Sequence, residues 1–335
     1  MDETPQMPAN LTTQYHKAER AYRQATTPEE ELECLQLMLR EIPKHKGTDK
    51  LQSDLKQKIS RVKQECQQPS KSGKRAGSRI PRQGAGRVVV IGGPNCGKSQ
   101  LVKSLTRATP EVAPYPFTTH EASPAMMEYE DVMVQLIDTP PITSDFLDPT
   151  TQSLVRGADL ILLLVDLDND DCAENVRDVI ERLQQTKTEL GTESFLDEND
   201  IGCSTTRTFA LLNKCDLDES ADRLAWLHEV YPLEFETFQI SAVHESSLED
   251  LKHAVFSALD VVRIYTKAPH QKEPDFEKPF TLERGGTVAD VAQLVHKDVA
   301  KNLKHARVWG ANVHDGTTVK GDYVLQDKDI LELHI

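Results

Sequence analysis

The chain has 335 residues, of which 38% are hydrophobic and 5% aromatic, and its formal net charge is −15 at pH 7. A chain of this length is expected to form two or three compact units. The negative charge argues against a protein that coats nucleic acid non-specifically, because phosphate binding requires a basic surface. The longest apolar run, residues 160–165, is too short to span a bilayer, and the first residues lack a secretion signal. We therefore expect a cytoplasmic protein with no membrane association.

The first predicted unit, residues 1–68, is an N-terminal helical arm. Its apolar residues recur at three- and four-residue spacing, which is the helical period, for example at Leu32, Leu35 and Leu39. The segment Thr27–Glu30 supplies an N-cap, a proline at the first helical position and a glutamate that can bond back to the cap. A second start signal lies at Thr48. We expect three helices packed antiparallel.

Residues 69–86 combine glycine, serine, proline and basic residues without hydrophobic periodicity, which predicts a basic flexible linker. Six Lys and Arg residues and no acidic residue lie between positions 71 and 87. Such a run fits either a solvated tether or a contact with nucleic acid.

The next predicted unit, residues 87–268, alternates strands with helices. Strand-like apolar runs lie at 88–91, 133–137, 160–165, 209–212 and 237–240. Helical stretches lie at 99–106, 172–190, 221–230 and 247–259. This alternation is typical of an α/β fold with a mainly parallel sheet covered by helices.

Residues 92–99 match the phosphate-loop pattern G-x4-G-K-S between a predicted strand and a predicted helix. The glycines let the backbone wrap the phosphates, and the helix adds its positive end. Lys98 is expected to reach the β- and γ-phosphates, and the Ser99 hydroxyl to bind Mg²⁺. The other residues predicted to line this site are Gly92, Pro94, Asn95, Cys96, Gly97 and Gln100.

Three later segments follow predicted strands of the same sheet. Asp138 ends an apolar strand, where its carboxylate can hold Mg²⁺. The Asp216 carboxylate can accept two hydrogen bonds side by side, as guanine requires and adenine does not. The predicted base-recognition residues are Asn213, Lys214 and Asp216, followed by Ser241 and Ala242, whose backbone N–H groups can close over the base oxygen. Together these segments predict that the ligand is GTP or GDP.

The last predicted unit, residues 269–335, is a small sheet with one helix. Its pattern contains a strand at 280–282, a turn at Gly285-Gly286 and a helix capped by Thr287. Further strands are predicted at 307–309, 323–325 and 330–335. A sheet of four or five strands covered by one helix is the economical arrangement for so few residues.

These motifs, together with the segment Tyr115–Thr119, resemble those of the Obg-like GTPases. Residues 262–267 and the C-terminal unit look most like the developmentally regulated GTP-binding proteins. The resemblance implies a P-loop NTPase G domain followed by a C-terminal ubiquitin-like (β-grasp) TGS domain. It also implies that Thr119 is the switch residue, which joins Ser99 and Asp138 at Mg²⁺ in the GTP state. Asn95 matches an asparagine that helps to bind K⁺ in potassium-stimulated relatives.

Two residues depart from that family's pattern. Pro141 stands where the Asp-x-x-Gly loop has its glycine, so the backbone N–H for the γ-phosphate is missing. Ile142 follows, and no glutamine is present to orient the attacking water.

Two functions remain open at this stage. One is a slow, Mg²⁺-dependent GTPase, catalysed through Lys98, Thr119 and Asp138, that acts as a nucleotide switch. The other is a nucleotide-dependent RNA- or ribosome-binding module with vestigial hydrolysis, because the TGS-like unit and the basic linker resemble parts that contact RNA or ribosomes in relatives. An ATPase without guanine selectivity is disfavoured by residues 213–216.

Overall fold

The computed structural model describes residues 11–25, 27–44, 48–67, 80–106, 121–197, 200, 202–244, 247–269, 271 and 273–335. Three parts follow one another along the chain. A helical arm precedes an eight-stranded sheet with helices on both faces, and a five-stranded sheet with its own helices ends the chain.

The arm contains the three helices that the sequence predicts: α1 (Thr13–Gln24), α2 (Pro28–Glu41) and α3 (Asp49–Gln67). The capping box at the start of α2 forms as predicted, since the Thr27 hydroxyl accepts from the Glu30 N–H and the Glu30 carboxylate accepts from the Thr27 N–H. Buried side chains such as Leu35, Met38 and Leu55 form the core of the arm. Leu196 of the following part completes this core.

The central sheet has the order β2-β3-β1-β4-β7-β5, and β6 and β8 also pair with β7. Its strands are β1 (Arg87–Gly92), β2 (Ser123–Tyr129), β3 (Val132–Asp138), β4 (Leu160–Asp166), β5 (Thr188–Gly191), β6 (Phe195–Leu196), β7 (Ser204–Asn213) and β8 (Glu236–Gln239). The neighbours β3, β1, β4, β7 and β8 are parallel, whereas β2 pairs antiparallel with β3. The expectation of an α/β fold with a mainly parallel sheet is confirmed.

Helices cover both faces of this sheet because its strands are apolar on both sides. They are α4 (Lys98–Leu105), α5 (Pro149–Arg156), α6 (Cys172–Gln184), α7 (Ser220–Val230) and α8 (Glu249–Leu259). Successive residues of a strand point to opposite faces, so Val88 and Val90 pack with α4 and α8, whereas Val89 and Ile91 pack with α5 and α6. All four side chains are fully buried.

The C-terminal sheet has the order β10-β9-β13-β11-β12. Its elements are β9 (Val261–Thr266), β10 (Asp275–Glu283), α9 (Val288–Val295), α10 (Lys297–Asn302), β11 (His305–Gly310), β12 (Val313–Val319) and β13 (Asp329–His334). The predicted cap of α9 forms, with Thr287 and Asp290 in a capping box. Val288, Val291 and Ala292 of this helix pack into the sheet's core.

Three predicted extents are wrong. The boundary after residue 268 falls one strand too late, because β9, a strand that the sequence pattern does not predict, pairs with β10 and β13 of the second sheet. The helix predicted to run to residue 190 ends at Gln184, and Lys187 has a left-handed φ of +57° before β5 begins. Residues 323–325 form only an isolated bridge between Val324 and Thr287, while β12 was missed.

Part of the predicted flexible linker is ordered. Arg82 pairs with Asp159 and donates to the Gly157 carbonyl at 2.7 Å. Arg87 donates to Gln135 at 3.1 Å and also to the Ile80 carbonyl. Arg82 of the predicted linker is therefore bound to the central domain, and Arg87, the last residue of the basic run, is the first residue of β1. Local composition does not show these pairings. Residues 68–79 lie outside the described residues.

Across the ranges that the structure describes, no helix combines the length and the apolar character needed to cross a lipid bilayer.

Candidate nucleotide-binding site

Residues 92–99 connect the carboxyl end of β1 to the start of α4. Gly92 has a φ of +152° and Gly97 a φ of +98°, which L side chains rarely adopt. A Cβ at Gly92 would lie 2.7 Å from the Leu164 carbonyl oxygen, and one at Gly97 would lie 2.5 Å from Asn213 Nδ2. Both glycines are therefore required by the backbone conformation and by the close packing of this loop.

Lys98, the first residue of α4, is only 7% exposed. Its Nζ donates to the Gly93 carbonyl at 2.7 Å and to the Gly92 carbonyl at 3.2 Å. These bonds hold the ammonium group within the loop, where a phosphate would sit over the N-terminus of α4. Cys96 is buried as well, and burial raises the pKa of its thiol. Pro94, Asn95 and Gln100 are exposed around the loop.

The two predicted magnesium ligands are brought together. The Ser99 hydroxyl donates to Asp138 Oδ2 at 2.5 Å. Burial raises the pKa of Asp138, although the Ser99 hydroxyl and Lys98 oppose this change. Asp138 Oδ1 is buried and has no hydrogen-bond partner among the residues that the structure describes. A buried carboxylate oxygen without a partner, next to a hydroxyl, fits a hard divalent cation such as Mg²⁺.

Asn213 ends β7 and is 1% exposed. Its Nδ2 donates to the Cys96 carbonyl at 2.8 Å, and its Oδ1 accepts from the Ala242 N–H at 3.0 Å. The sequence prediction had placed this amide and Asp216 on one ligand. In the structure, Asn213 fastens the phosphate loop to the loop after β8 and so positions both, while its contact with the ligand stays a prediction.

Lys214 and Asp216 lie on the exposed side of the same loop. Lys214, with a φ of +64°, places its Nζ 2.8 Å from Asp166 and 3.5 Å from Asp168. Although burial works the other way, these carboxylates raise the pKa of Lys214. The nearby Ser241 hydroxyl lowers the pKa of Asp216. Like an ordinary aspartate, its carboxylate is an ionised hydrogen-bond acceptor at neutral pH. Its side chain is 31% exposed and therefore accessible to a base.

The N–H groups of Ser241 and Ala242 have hydrogen-bond acceptors within the protein that the sequence does not predict. The Ser241 N–H donates to Ser247 Oγ at 3.2 Å, and the Ala242 N–H donates to Asn213. Both were expected to face the base oxygen, but both already have protein acceptors. A contact with the base requires one of these bonds to open or to be shared, so this part of the prediction stays untested.

Two residues of the site, Asp166 and Ser247, were missed in the sequence, and Ile142 has a structural role that the sequence does not show. Asp166, at the carboxyl end of β4, holds Lys214. The sequence offers a signal for it, because β4 lies between β1 and β7, and both of these strands are followed by predicted site residues. Ser247 supports the loop after β8. Ile142 is 1% exposed in the core, and its N–H donates to the Gly92 carbonyl at 3.1 Å, which ties the Asp138 segment to the phosphate loop. Thr119 lies outside the described residues.

Two parts of the chain match models of known protein families. Residues 87–196 match the family model described as 50S ribosome-binding GTPase, and residues 262–335 match the TGS domain model. The chain is 28% identical to an uncharacterized GTP-binding protein of Methanocaldococcus jannaschii, with 92% of this chain and 93% of that protein covered. It is 25% identical to developmentally-regulated G-protein 1 of Arabidopsis thaliana, with 87% of each covered.

Among solved structures, a GTP binding protein from Pyrococcus horikoshii OT3 is similar with a TM-score of 0.44 and 15% identity, covering 74% of this chain and 99% of that one.

Proposed function

Since the chain carries a P-loop GTPase domain and a TGS domain and has developmentally regulated GTP-binding proteins among its relatives, we propose that it is a slow, Mg²⁺-dependent GTPase that acts as a nucleotide switch. The contact of 2.5 Å between Ser99 and Asp138, beside the buried Lys98, carries this proposal. The Ser99 hydroxyl and the Asp138 carboxylate would hold Mg²⁺, and the neighbouring Lys98 would hold the β- and γ-phosphates. Bound Mg²⁺ would neutralise charge that develops on the phosphate oxygens.

Guanine selectivity rests on Asp216 in this proposal. Its carboxylate is exposed to a base and ionised at neutral pH, and an ionised carboxylate accepts from both N1–H and the 2-amino group of guanine. Asn213 holds the base loop against the phosphate loop, so the two ends of one nucleotide are bound at a fixed separation. Lys214, fixed by Asp166, would lie along the sugar and base.

The environment of Ile142 supports a low rate. Its side chain is buried in the core and cannot orient a water molecule for attack on the γ-phosphate. Its N–H is bonded to Gly92, and Pro141 has no N–H to offer. In the proposal, sensing of the γ-phosphate therefore depends on Thr119 and on the metal. A K⁺ ion at Asn95, whose exposed side chain lies on the phosphate loop, would add positive charge there.

A second candidate function is a nucleotide-dependent RNA- or ribosome-binding module in which hydrolysis is vestigial. The burial of Ile142 favours it, because the loop then lacks a group that acts on water. The matched GTPase family is described as 50S ribosome-binding, which points to the same kind of partner.

A multiple-turnover phosphate-release assay separates the two candidates. The wild type, Ser99→Ala and the matched control Lys103→Ala, an exposed lysine on the same helix, are compared with GTP in K⁺ and Na⁺ at equal ionic strength. We expect slow release that requires Mg²⁺, is faster in K⁺, and is lost only in Ser99→Ala. Tight GTP binding without release, together with GTP-dependent retention on ribosomes, would instead establish the binding module.

A further inference from the structure

A cavity of about 380 Å³ lies between the arm and the central domain. Its walls come from the end of α1 and the start of α2 on one side, and from α5 and the first residues of β1 and β7 on the other. It thus lies at the amino-terminal edge of the parallel strands, whereas the phosphate loop follows the carboxyl end of β1. The cavity and the nucleotide site are separate.

Three guanidinium groups line this cavity, those of Arg23, Arg87 and Arg156. Each is held by neutral acceptors: Arg23 donates to Thr206 Oγ1 at 3.0 Å, and Arg156 to the Gly202 carbonyl at 2.6 Å. The bonds of Arg87 likewise go to an amide oxygen and a carbonyl oxygen. The cavity therefore concentrates positive charge in a chain whose net charge is −15.

The carboxylates around the cavity have other partners. Glu31, the one acidic residue that lines it within the described part of the chain, accepts from the Tyr22 hydroxyl at 3.3 Å. Asp159 pairs with Arg82 and accepts from the Arg87 backbone N–H at 2.7 Å. Glu19 accepts from the Leu196 N–H at 2.6 Å. The carboxylates of Glu19 and Asp159 offset part of the positive charge of Arg23, and Asp159 also acts on Arg87. Both carboxylates are already engaged by other donors, so the three arginines keep an excess of positive charge.

The arginines are also poorly solvated. Arg23 Nε is buried without a hydrogen-bond partner among the described residues. Burial lowers the pKa of Arg23 and of Arg87 to about 10. Burial, and then Arg156, lower the pKa of Lys58 to about 8, and its Nζ lies 3.2 Å from the Tyr22 hydroxyl. Removing a guanidinium group from water is costly, and an anion bound between Arg23, Arg87 and Arg156 would offset part of that cost.

We propose that this cavity is a second binding site, distinct from the GTP site, for a small phosphate-bearing anion. Guanidinium groups bind phosphate through paired, charge-assisted hydrogen bonds, and a volume of about 380 Å³ suits a small phosphorylated molecule. Arg23 comes from the arm, while Arg87 and Arg156 come from the central domain. The ligand therefore fastens the arm to the domain that binds GTP.

The test uses inorganic pyrophosphate as the probe and the full chain carrying Lys98→Ala, in magnesium-free buffer, so that the phosphate loop does not compete. Calorimetry at constant ionic strength should show saturable binding of one pyrophosphate. Adding Arg156→Gln should weaken it by about tenfold, since a charged hydrogen bond is lost. The matched control is Arg177→Gln, an arginine on α6 that is 45% exposed and lies 4.0 Å from Glu181, and it should leave the affinity unchanged.

A second variant tests the cavity without removing a charge. Ser153 is an exposed residue that lines the cavity, and Ser153→Trp would fill the space beside Arg156. Circular dichroism and thermal unfolding confirm that each variant is folded. The inference is supported if Ser153→Trp and Arg156→Gln both reduce binding. Absence of saturable binding, or binding that neither variant changes, overturns it, and neither result bears on the proposed GTPase.

Discussion

Arg263 in β9 joins the C-terminal unit to the central domain, and its removal should weaken the contact between them. The side chain is 5% exposed and lies among three carboxylates. Asp327 of its own unit is paired in a bidentate manner, with contacts of 2.7 Å and 3.1 Å. Glu130 and Asp131, at the tip of the β2–β3 hairpin, supply the other two contacts. The guanidinium also stacks over the Phe256 ring at 5.1 Å.

The size of the effect follows from burial. Removing one partner of a fully buried ion pair costs about 3–5 kcal/mol. Here the three carboxylates are 50%, 24% and 33% exposed, so water screens much of the charge that remains. We therefore expect Arg263→Leu to reduce the free energy of unfolding by about 2–3 kcal/mol. The matched control is Arg284→Leu, whose 2.6 Å pair with Asp260 is exposed on both sides and should matter by under about 0.5 kcal/mol.

Two measurements test this prediction: denaturant unfolding gives the free energy of unfolding, and hydrogen exchange reports on the β2–β3 hairpin. Burial opposes ionisation of Asp131 and Asp327, but hydrogen bonds from Tyr265 and Arg263 outweigh it and lower their pKa values. A lowered carboxyl pKa stabilises the fold above its unfolded value, and this contribution disappears as the pH falls through the folded value. The difference between wild type and Arg263→Leu should thus persist above about pH 5 and shrink below about pH 4. Equal stability, with unchanged exchange in the hairpin, would refute the reasoning.

Three further predictions concern the nucleotide site. In calorimetry, Lys98→Ala should weaken GTP binding by about 1.5–3 kcal/mol, whereas Lys103→Ala should leave it unchanged. An equal loss in both variants would show that Lys98 does not bind the nucleotide. Asp216→Asn should cost a similar amount and shift preference toward xanthine nucleotides, because the amide offers a donor where guanine needs an acceptor, and unchanged GTP affinity would contradict this. Pro141→Gly restores a backbone donor and should favour GTP over GDP by about 0.5–1.5 kcal/mol, opposed by up to about 1 kcal/mol from added flexibility. An unchanged ratio of GTP to GDP affinity would mean that the missing donor is irrelevant.

The phosphate loop, Asp138 and Asp216 can be proposed from the sequence because their signals are local. A glycine pattern after an apolar strand, or an acid at a strand's end, needs no knowledge of distant residues. The role of Asn213 could not be predicted, since its partners Cys96 and Ala242 are far away in the sequence. In the same way, the sequence pattern does not predict a strand at residues 261–266, and only the pairing of β9 assigns it to the second sheet.

Basic residues illustrate the same limit in another form. The run between positions 71 and 87 predicts either a solvated tether or a nucleic-acid contact from composition alone. Arg82 and Arg87 instead bind Asp159, Gln135 and backbone carbonyls of the central domain. Composition gives the charge of a segment but does not show whether the folded protein has hydrogen-bond acceptors for it. Neither predicted environment, solvent or nucleic acid, therefore describes these two arginines.

Strand β3 connects the contact with the C-terminal unit to the candidate nucleotide site. It follows directly from the hairpin tip that contacts Arg263, and it ends at Asp138, whose carboxylate contacts Ser99. Between these points it is paired with β2 over seven residues and with β1 over four, so it cannot lengthen or bend freely. Any nucleotide-dependent shift of Asp138 along the strand must therefore either move the hairpin against Arg263 or be resisted by it. Loss of the Arg263 contacts should then change the ratio of GTP to GDP affinity as well as stability, because a contact that resists only one of two states biases the equilibrium between them.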